Sequence, residues 1–250
     1  MNRQTMDQFP IQAPAFEGRS RQVSAGAVFA WLRMGWSVFM VNPGVWAVSA
    51  VIVLVGFLAL MSVWLVGVLL ASLLAPLVAA GLLTMSRHAA DGTEPALSDL
   101  GAGFNTRTTP LLVLGVIFLI ANVAINVLVF LMIGGSLAGG LMMQGAAGAG
   151  VLLGGSLLAL LFSSVLLIPL GMALWFAPML VLFNGMPPIE ACKASFNACL
   201  KNILPFLLFS LIVFVLSFFA ALPVGLGFLV LIPVLAGTAY AAYQDVFVAY

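Results

Sequence analysis

Residues 187–205 read PPIEACKASFNACLKNILP, a short charged segment inside a strongly apolar chain. The segment holds Glu190, Lys193 and Lys201, whereas the whole chain has only eight basic and seven acidic residues. Polar residues recur at steps of three and four along one side of a helix, and apolar residues recur along the other. Proline at 187–188 and at 205 is typical of a helix start and of a bend at its end. The pattern predicts an amphipathic helix lying at a membrane surface.

Composition around this segment excludes a water-soluble fold. Apolar residues make up 64% of the chain and charged residues 6%, against about 25% charged in a typical soluble domain. A transmembrane barrel would show segments of about 10 residues alternating apolar and polar, which this sequence lacks. Instead, six apolar runs have about the 20 residues that a helix needs to cross a bilayer. We therefore predict an all-α membrane protein with six transmembrane helices at 44–63, 65–86, 110–133, 150–183, 203–221 and 224–244.

The distribution of charge predicts the topology. Charged residues lie before the first run, between the second and third, between the fourth and fifth, and after the sixth. The three other connections carry none. By the positive-inside rule, we expect both termini and the amphipathic segments on the cytoplasmic side of a bacterial inner membrane, with the spans paired as three hairpins.

The chain divides into an arm and one membrane domain. Residues 1–23 are polar and mixed in charge, which predicts a disordered cytoplasmic arm, and residues 24–250 form a single integral membrane domain. Each hairpin follows a short aromatic segment ending in proline. The second run of each hairpin, which returns to the charged side, has a proline followed by small residues. This favours three parallel repeats at 24–86, 97–185 and 187–247. The alternative is that the chain has no internal repeat and that proline and small residues recur at these positions by chance.

Small residues predict where helices pack and where the chain is loose. In the second run, glycine or alanine recurs at every fourth position, at Gly67, Ala71, Ala75 and Ala79, which favours the close approach of another helix. The returning helices should then form the centre of the bundle. We expect the charge-free residues 134–150, GGSLAGGLMMQGAAGAG, to be a flexible connector. Cys192 and Cys199 are interpreted as small apolar residues.

Two sets of polar residues are candidates for a site. Asn122 and Asn126 lie one turn apart in the third run, where interhelical hydrogen bonds are the expected role and substrate binding is the alternative. Arg33, Lys193 and Lys201 are predicted to contact lipid headgroups at the membrane surface.

Catalytic chemistry is not predicted. No span core contains an ionisable residue, which disfavours ion-coupled transport. His88 is the single histidine, and with Asp91 nearby it falls short of a metal set, so we predict neither metal nor other cofactor and no enzyme activity. An enzyme would need a site built from loop residues such as His88 and Asp91. The net charge of +1 offers no basic field for nucleic acid.

Three stretches resemble a known family: ASLLAPLVAAGLL (71–83), ALWFAPMLVLFNGMPPIEACKASFNACLKNILPF (173–206) and ALPVGLGFLVLIPVLAGTAYAAYQDVF (221–247). They are similar to an uncharacterised family of proteobacterial inner-membrane proteins with six spans and no assigned function. More distantly, the chain resembles the membrane portion of some glycerophosphodiester phosphodiesterases. Their catalytic part has no counterpart here, so the resemblance implies no hydrolase activity.

The leading hypothesis is a structural or regulatory membrane component. Its expected partners are the lipid bilayer and either anionic headgroups or another membrane protein, since the charged helices suit anionic surfaces. The alternative is a transporter or permease for an apolar or neutral solute, which the prolines at corresponding positions of the repeat favour.

Overall fold

A computed structural model of the protein describes residues 18–143 and 145–248. These residues contain helices and no strand. The helices are α1 Ala27–Val41, α2 Pro43–Met61, α3 Trp64–Ala90, α4 Ala102–Asn105, α5 Thr108–Met142, α6 Gly145–Trp175, α7 Ala177–Asn184, α8 Pro188–Lys201, α9 Ile203–Ala221 and α10 Phe228–Tyr243. A 3₁₀ turn at Leu97–Gly101 precedes α4, and a π turn at Gln244–Val248 follows α10.

Six helical segments of the described chain are long and apolar enough to cross a membrane. They agree with the six predicted runs within a few residues at most boundaries, the 134–150 connection excepted, and confirm the fold class. The protein is a multi-pass membrane protein whose segments are Pro43–Met61, Val66–Ala90, Thr108–Met142, Gly145–Asn184, Ile203–Ala221 and Phe228–Phe247.

The spans form three hairpins, α2–α3, α5–α6 and α9–α10, with α7 continuing from α6. We call the end with α1, α4, α8 and the π turn the base, and the end with the three hairpin turns the far end. Asn42 begins α2 by accepting a hydrogen bond from the Val45 amide at 3.1 Å, followed by Pro43 at the first helical position. The predicted surface helix is α8, with Glu190 in its first turn and Lys201 in its last, the placement that the helix dipole favours.

We call the second helix of each hairpin (α3, α6 and α10) its returning helix. Each returning helix packs at the base against the short helical segment of the next hairpin. Helix α3 packs on the 3₁₀ turn and α4, α6 packs on α8, and α10 packs back on α1. Gly103 lies so close to α3 that a Cβ there would come within 2.2 Å of the Leu77 carbonyl oxygen. At Gly35, a Cβ would come within 2.3 Å of the Val234 carbonyl oxygen. Three contacts of one kind therefore close a ring, and each lies just beyond a helix-interior proline: Pro76, Pro169 and Pro233.

The third contact of the ring uses a hydroxyl. Helix α6 ends at Trp175 and α7 restarts with a proline in its first turn. The Ser195 hydroxyl of α8 accepts a hydrogen bond from the Phe176 amide at 2.9 Å and donates one to the Met172 carbonyl at 2.6 Å. Backbone groups freed by the helix break are thereby satisfied inside the protein.

The buried core lies at the base. In the last span, 56% of the most apolar window is buried, against 6% for each of the spans that contain α5 and α6. The largest buried cluster joins α10 and the π turn to α7, through side chains such as Phe176, Leu180, Tyr240 and Val246. Helix α10 is therefore the central helix, whereas the outer halves of the other spans expose most of their side chains.

The second hairpin corrects the predicted flexible connector. Helix α5 continues to Met142 and α6 begins at Gly145, so residues 134–150 are almost wholly helical. A Cβ at Gly148 would lie 1.7 Å from the Met143 carbonyl oxygen, and one at Gly140 would lie 2.4 Å from the Leu152 side chain. Gly140 and Gly148 thus allow the two helices to touch. Helix α5 has 35 residues, against 19 in α2 and 19 in α9.

The small residues of α3 also differ from expectation. Gly67 packs on the Leu60 carbonyl at the hairpin turn. However, Ala71, Ala75 and Ala79 line an apolar groove of about 660 Å³ between α2 and α3. Ala79 also packs against the buried core, so the prediction that a helix packs on these small residues is wrong for Ala71 and Ala75. The close approach to α5 occurs on another face of α3.

Part of the predicted disordered arm is bound to the base. The Val23 amide donates to the Asn202 side chain at 2.8 Å, and the Asn202 amide group donates to the Arg21 carbonyl at 3.0 Å. The Arg21 amide donates to the Val246 carbonyl at 2.9 Å. Residues 18–23 thus join α9 to the C-terminal turn, and residues 1–17 of the arm lie outside the described residues.

The ring of contacts predicts the effect of one added methyl group. Gly103→Ala should destabilise the protein by about 1–3 kcal/mol, because the new Cβ meets backbone atoms that cannot rotate away. Gly134→Ala in α5 is the matched control, since a Cβ there has no neighbour within 4 Å. The measurement is the thermal unfolding midpoint in mild detergent. Equal midpoints for the two variants would contradict the close contact.

Candidate functional site

The asparagine pair does not form the predicted interhelical hydrogen bonds. The Asn122 amide group donates to the Phe118 carbonyl at 3.2 Å, and the Asn126 amide group donates to the Asn122 carbonyl at 2.8 Å. Both bonds stay within α5, and Asn126 is exposed. Neither side chain converges with a polar group of another described helix, so substrate binding at this pair stays a prediction.

His88 pairs with Asp99 and not with Asp91. The His88 Nδ1 atom lies 2.9 Å from the Asp99 carboxylate, which also accepts the Ala96 amide at 2.9 Å. Asp91 instead lies 3.6 Å from Arg87, four residues earlier on the same surface. Asp99 thus ties the end of α3 to the start of the 3₁₀ turn. The histidine of this region is therefore paired with Asp99, whereas the sequence had suggested Asp91 as its neighbour.

These polar residues surround an open cavity of about 730 Å³ at the base. The ionisable side chains of its lining are Arg87, His88, Asp91, Glu94 and Asp99. Among the residues that the structure describes, no group of three histidine, cysteine, aspartate or glutamate side chains could hold a metal ion.

The cysteines behave as the interpretation from sequence expects. Cys199 is buried, and its Sγ lies 3.5 Å from the Met172 carbonyl oxygen. Burial raises the pKa of the Cys199 thiol to about 12, although a hydrogen bond with Ser195 opposes the rise. Burial also raises the pKa of Cys192. A thiol that stays protonated is a poor nucleophile.

The C-terminal turn carries a polar cluster that the sequence did not indicate. Asp245 pairs with Arg21 and also accepts a hydrogen bond from the Trp31 indole at 2.8 Å. The arm, α1 and the C-terminal turn therefore meet at one carboxylate. Because residue 21 and residue 245 are 224 positions apart, no local pattern could have paired them.

Helix α8 has three faces, where the sequence predicted two. Its buried face consists of small residues that pack on α6 and α7: Ala191, Ser195, Ala198 and Cys199. Its exposed polar face consists of Glu190, Asn197 and Lys201. Its apolar face has Ile189 and Leu200 exposed, with Phe196 half-buried. Small side chains contribute little to an amphipathic pattern, which is why the face that packs on the protein was missed.

Helix α1 repeats this design. Its buried face packs on α10 and contains Val28, Trp31, Gly35 and Val38. Its exposed apolar face contains Phe29, Trp36 and Met40. Its polar face contains Ser37, and the exposed Arg33 lies between these two faces. Successive residues are separated by about 100° around a helix. On that wheel, the buried, apolar and polar faces follow one another in the same rotational order in α1 and α8.

A three-residue pattern marks the equivalent positions in all three hairpins. A small residue, an aromatic residue and a small polar residue occur as Gly35, Trp36 and Ser37, as Gly103, Phe104 and Asn105, and as Ser195, Phe196 and Asn197. The small residue contacts the returning helix at each place. Aligning the segments on this pattern would have identified the buried face from sequence.

The three predicted headgroup contacts occupy two kinds of position. Arg33 and Lys193 each precede the aromatic residue of the pattern by three positions, so cation and ring lie on neighbouring parts of the helix surface. Both are exposed, and neither makes an ion pair with another described residue. Lys201 lies on the polar face, 3.4 Å from the Ser20 carbonyl oxygen. Contact with lipid stays a prediction for all three.

Comparison with known proteins gives one informative relative. A probable inner membrane protein of Burkholderia thailandensis is 29% identical over 227 residues, which cover 88% of this chain and 83% of the relative. This agrees with the resemblance to proteobacterial inner-membrane proteins seen in the sequence. No protein-family model matches the chain. No solved structure matches it.

The buried thiol gives a prediction about reactivity. In a Cys192→Ser variant, the remaining Cys199 should react slowly with a maleimide near neutral pH, because a pKa of about 12 keeps it protonated. Cys192, left alone in a Cys199→Ser variant, is only partly buried and should react faster. Labelling is followed by mass spectrometry before and after unfolding in detergent. Native Cys199 reacting as fast as Cys192 would contradict the buried position.

Proposed function

We propose that this protein is a non-enzymatic component of a bacterial inner membrane that binds phospholipid through the interfacial helices α1 and α8. The observation that carries the proposal is their shared three-faced design. One face packs on the protein, one exposes large apolar side chains, and an exposed cation lies at the edge of the apolar face. A helix with these features at the base of six spans matches the boundary between hydrocarbon and headgroups.

The exposed apolar face supports contact with lipid. Phe29, Trp36 and Ile189 are 57%, 52% and 61% exposed within the protein alone. Tryptophan is enriched where membranes meet water, because its ring is apolar and its indole N–H is polar. A basic side chain near an anionic leaflet contributes about 1 kcal/mol. Arg33 and Lys193 therefore suit anionic phospholipid, whereas Lys201 lies on the polar face of α8 with its Nζ 3.4 Å from the Ser20 carbonyl oxygen.

We infer that the base faces the cytoplasm. The basic residues of the described loops and surface helices, among them Arg87 and Arg107, belong to segments at the base. The three turns at the far end contain no charged residue. This asymmetry is the one that the positive-inside rule describes. The similarity to a probable inner membrane protein supports the choice of membrane.

The contacts of the potentially reactive side chains support the proposal that the protein is not an enzyme. His88 and Asp99 link two backbone segments, and Cys199 is protonated and buried. Among the carboxylates of the open cavity at the base, Asp91 lies near Arg87, Glu94 is exposed, and Asp99 is held by His88 and the Ala96 amide. These roles favour a binding protein over an enzyme.

Lipid retention tests the proposed function. Protein purified in mild detergent should carry phospholipid that mass spectrometry detects, with anionic species enriched over the total membrane extract. Arg33→Gln combined with Lys193→Gln should lose the enrichment, and Lys201→Gln is the matched control that should keep it. Bare protein, without enriched lipid, would overturn the proposal. Saturable solute flux in proteoliposomes would favour the transporter alternative.

Reporter fusions test the inferred orientation. Green fluorescent protein fused after residue 248 should fluoresce, and alkaline phosphatase inserted at residues 62–63 should be active, because one end lies in the cytoplasm and the other outside it. Phosphatase activity from an insertion within residues 187–202 would reverse the orientation and remove the argument for the cytoplasmic leaflet.

A further inference from the structure

An apolar groove runs along the second hairpin and ends at α8. Its volume is about 560 Å³, and its walls come from α5, α6 and α8. Ala121 and Ala124 on α5 face Ala173 on α6, so small side chains leave the space open. The groove extends along α5 as far as Leu128, which is exposed. It is therefore open towards the hydrocarbon around the hairpin.

The base end of this groove is different in chemistry. Cys192, Lys193 and Phe196 of α8 form it, and Lys193 is the charged residue of the lining. Lys193 is exposed and makes no ion pair with another described residue. An apolar groove with a cation at its base end matches a molecule that has an anionic head and an apolar tail.

We propose that this groove binds one anionic phospholipid of the bilayer, with its phosphate on Lys193 Nζ and one acyl chain between α5 and α6. The inference rests on the lipid-binding function proposed above and names the site. It places the headgroup at the level of α8 and the chain along the spans, the orientation that a bilayer lipid already has.

A matching groove in the first hairpin provides an internal comparison. The groove between α2 and α3, with its three alanines, ends at Leu100 and Phe104 of the next surface segment. Phe104 occupies the place that Phe196 has in the second groove. Three positions before Phe104 stands Gly101, where the second groove has Lys193. The first groove therefore offers an acyl chain a similar space without a cation for the phosphate.

A helix of another protein fits the second groove less well. Covering the groove with an apolar helix would remove Lys193 from water without providing a partner charge, which is costly. A lipid phosphate supplies that charge and leaves the ammonium group at the surface. The charge of Lys193 at the base end of the groove thus favours a phospholipid over an apolar protein helix.

The test measures phosphatidylglycerol binding to the full chain in mild detergent by native mass spectrometry, with phosphatidylcholine as the uncharged comparison. Lys193→Ala should weaken phosphatidylglycerol binding about fivefold, the factor expected for one basic residue at an anionic surface. Lys193→Arg should retain it. Lys201→Ala, which removes a cation from the polar face of α8, should leave it unchanged.

Filling the groove tests the place of the acyl chain. Ala124→Phe should weaken binding of both lipids because the ring occupies the channel. Val123→Phe is the matched control, since Val123 is exposed on α5 and does not line the groove. Thermal unfolding midpoints confirm that each variant is folded.

The outcomes separate this site from the broader function. Equal losses for Lys193→Ala and Lys201→Ala, or normal binding in Ala124→Phe, would overturn the groove site while lipid binding stood. Loss of a co-purifying protein in Ala124→Phe, with lipid binding intact, would overturn it in favour of a helix partner. Wild-type protein that binds neither lipid would overturn both the site and the proposed function.

Discussion

Close contact between a returning helix and the next surface segment is the constraint on which the rest of this structure depends. The contact requires a residue with little or no side chain, as Gly35 and Gly103 provide, or one whose hydroxyl can satisfy the freed backbone, as Ser195 does. In lipid, helices are not driven together by the hydrophobic effect, so close packing and internal hydrogen bonds hold them. Three such contacts fix α1, α4 and α8 around the base. The orientation of their remaining faces follows from that.

The distribution of burial has the same origin. The base is packed like the interior of a soluble protein, with Phe176, Leu180 and Val246 fully buried. Outside the base, the spans expose leucine, valine and phenylalanine, which lipid tails solvate as well as a protein core would. The base can therefore determine the fold, while the outer halves of the hairpins need only satisfy their own backbone. The apolar grooves lie along the first two hairpins and end at the surface segments of the base.

The sequence predicted the elements that are decided by length and charge. Six apolar runs and one-sided charge predicted the spans and α8, because an unsatisfied backbone and a buried charge are both costly in hydrocarbon. It failed where a residue's role depends on its neighbours in space. Residues 134–150 suggested a loop because glycine is flexible in water, yet in the structure they are almost wholly helical, and Gly140 and Gly148 lie at the contact between the two helices. Similarly, the spacing of alanines around Ala71 could not reveal that a groove separates α2 from this part of α3.

The candidate site was only partly predictable for the same reason. Arg33 and Lys193 were predicted as headgroup contacts from their charge, and the structure places Arg33 beside the exposed Trp36 and Lys193 beside the half-buried Phe196. Lys201 looked equivalent in sequence but lies on the polar side of α8. Asn122 and Asn126 suggested a contact between helices because polar groups in lipid need partners, and the carbonyls of their own helix supply them. The groove beside Lys193 comes from three separate helices and leaves no local pattern.

The length of α5 has a consequence for the membrane itself. A helix of 35 residues is about 52 Å long at 1.5 Å per residue. Even at a tilt of about 40°, it spans about 40 Å along the membrane normal, against roughly 30 Å of hydrocarbon. Leu141 and Met142 near its tip are apolar and exposed, so water does not suit them. The 19-residue α2 and α9 match an ordinary bilayer. The lipid around this protein is therefore expected to be thicker beside one hairpin than beside the other two, which makes the protein's local environment sensitive to the composition and thickness of the membrane.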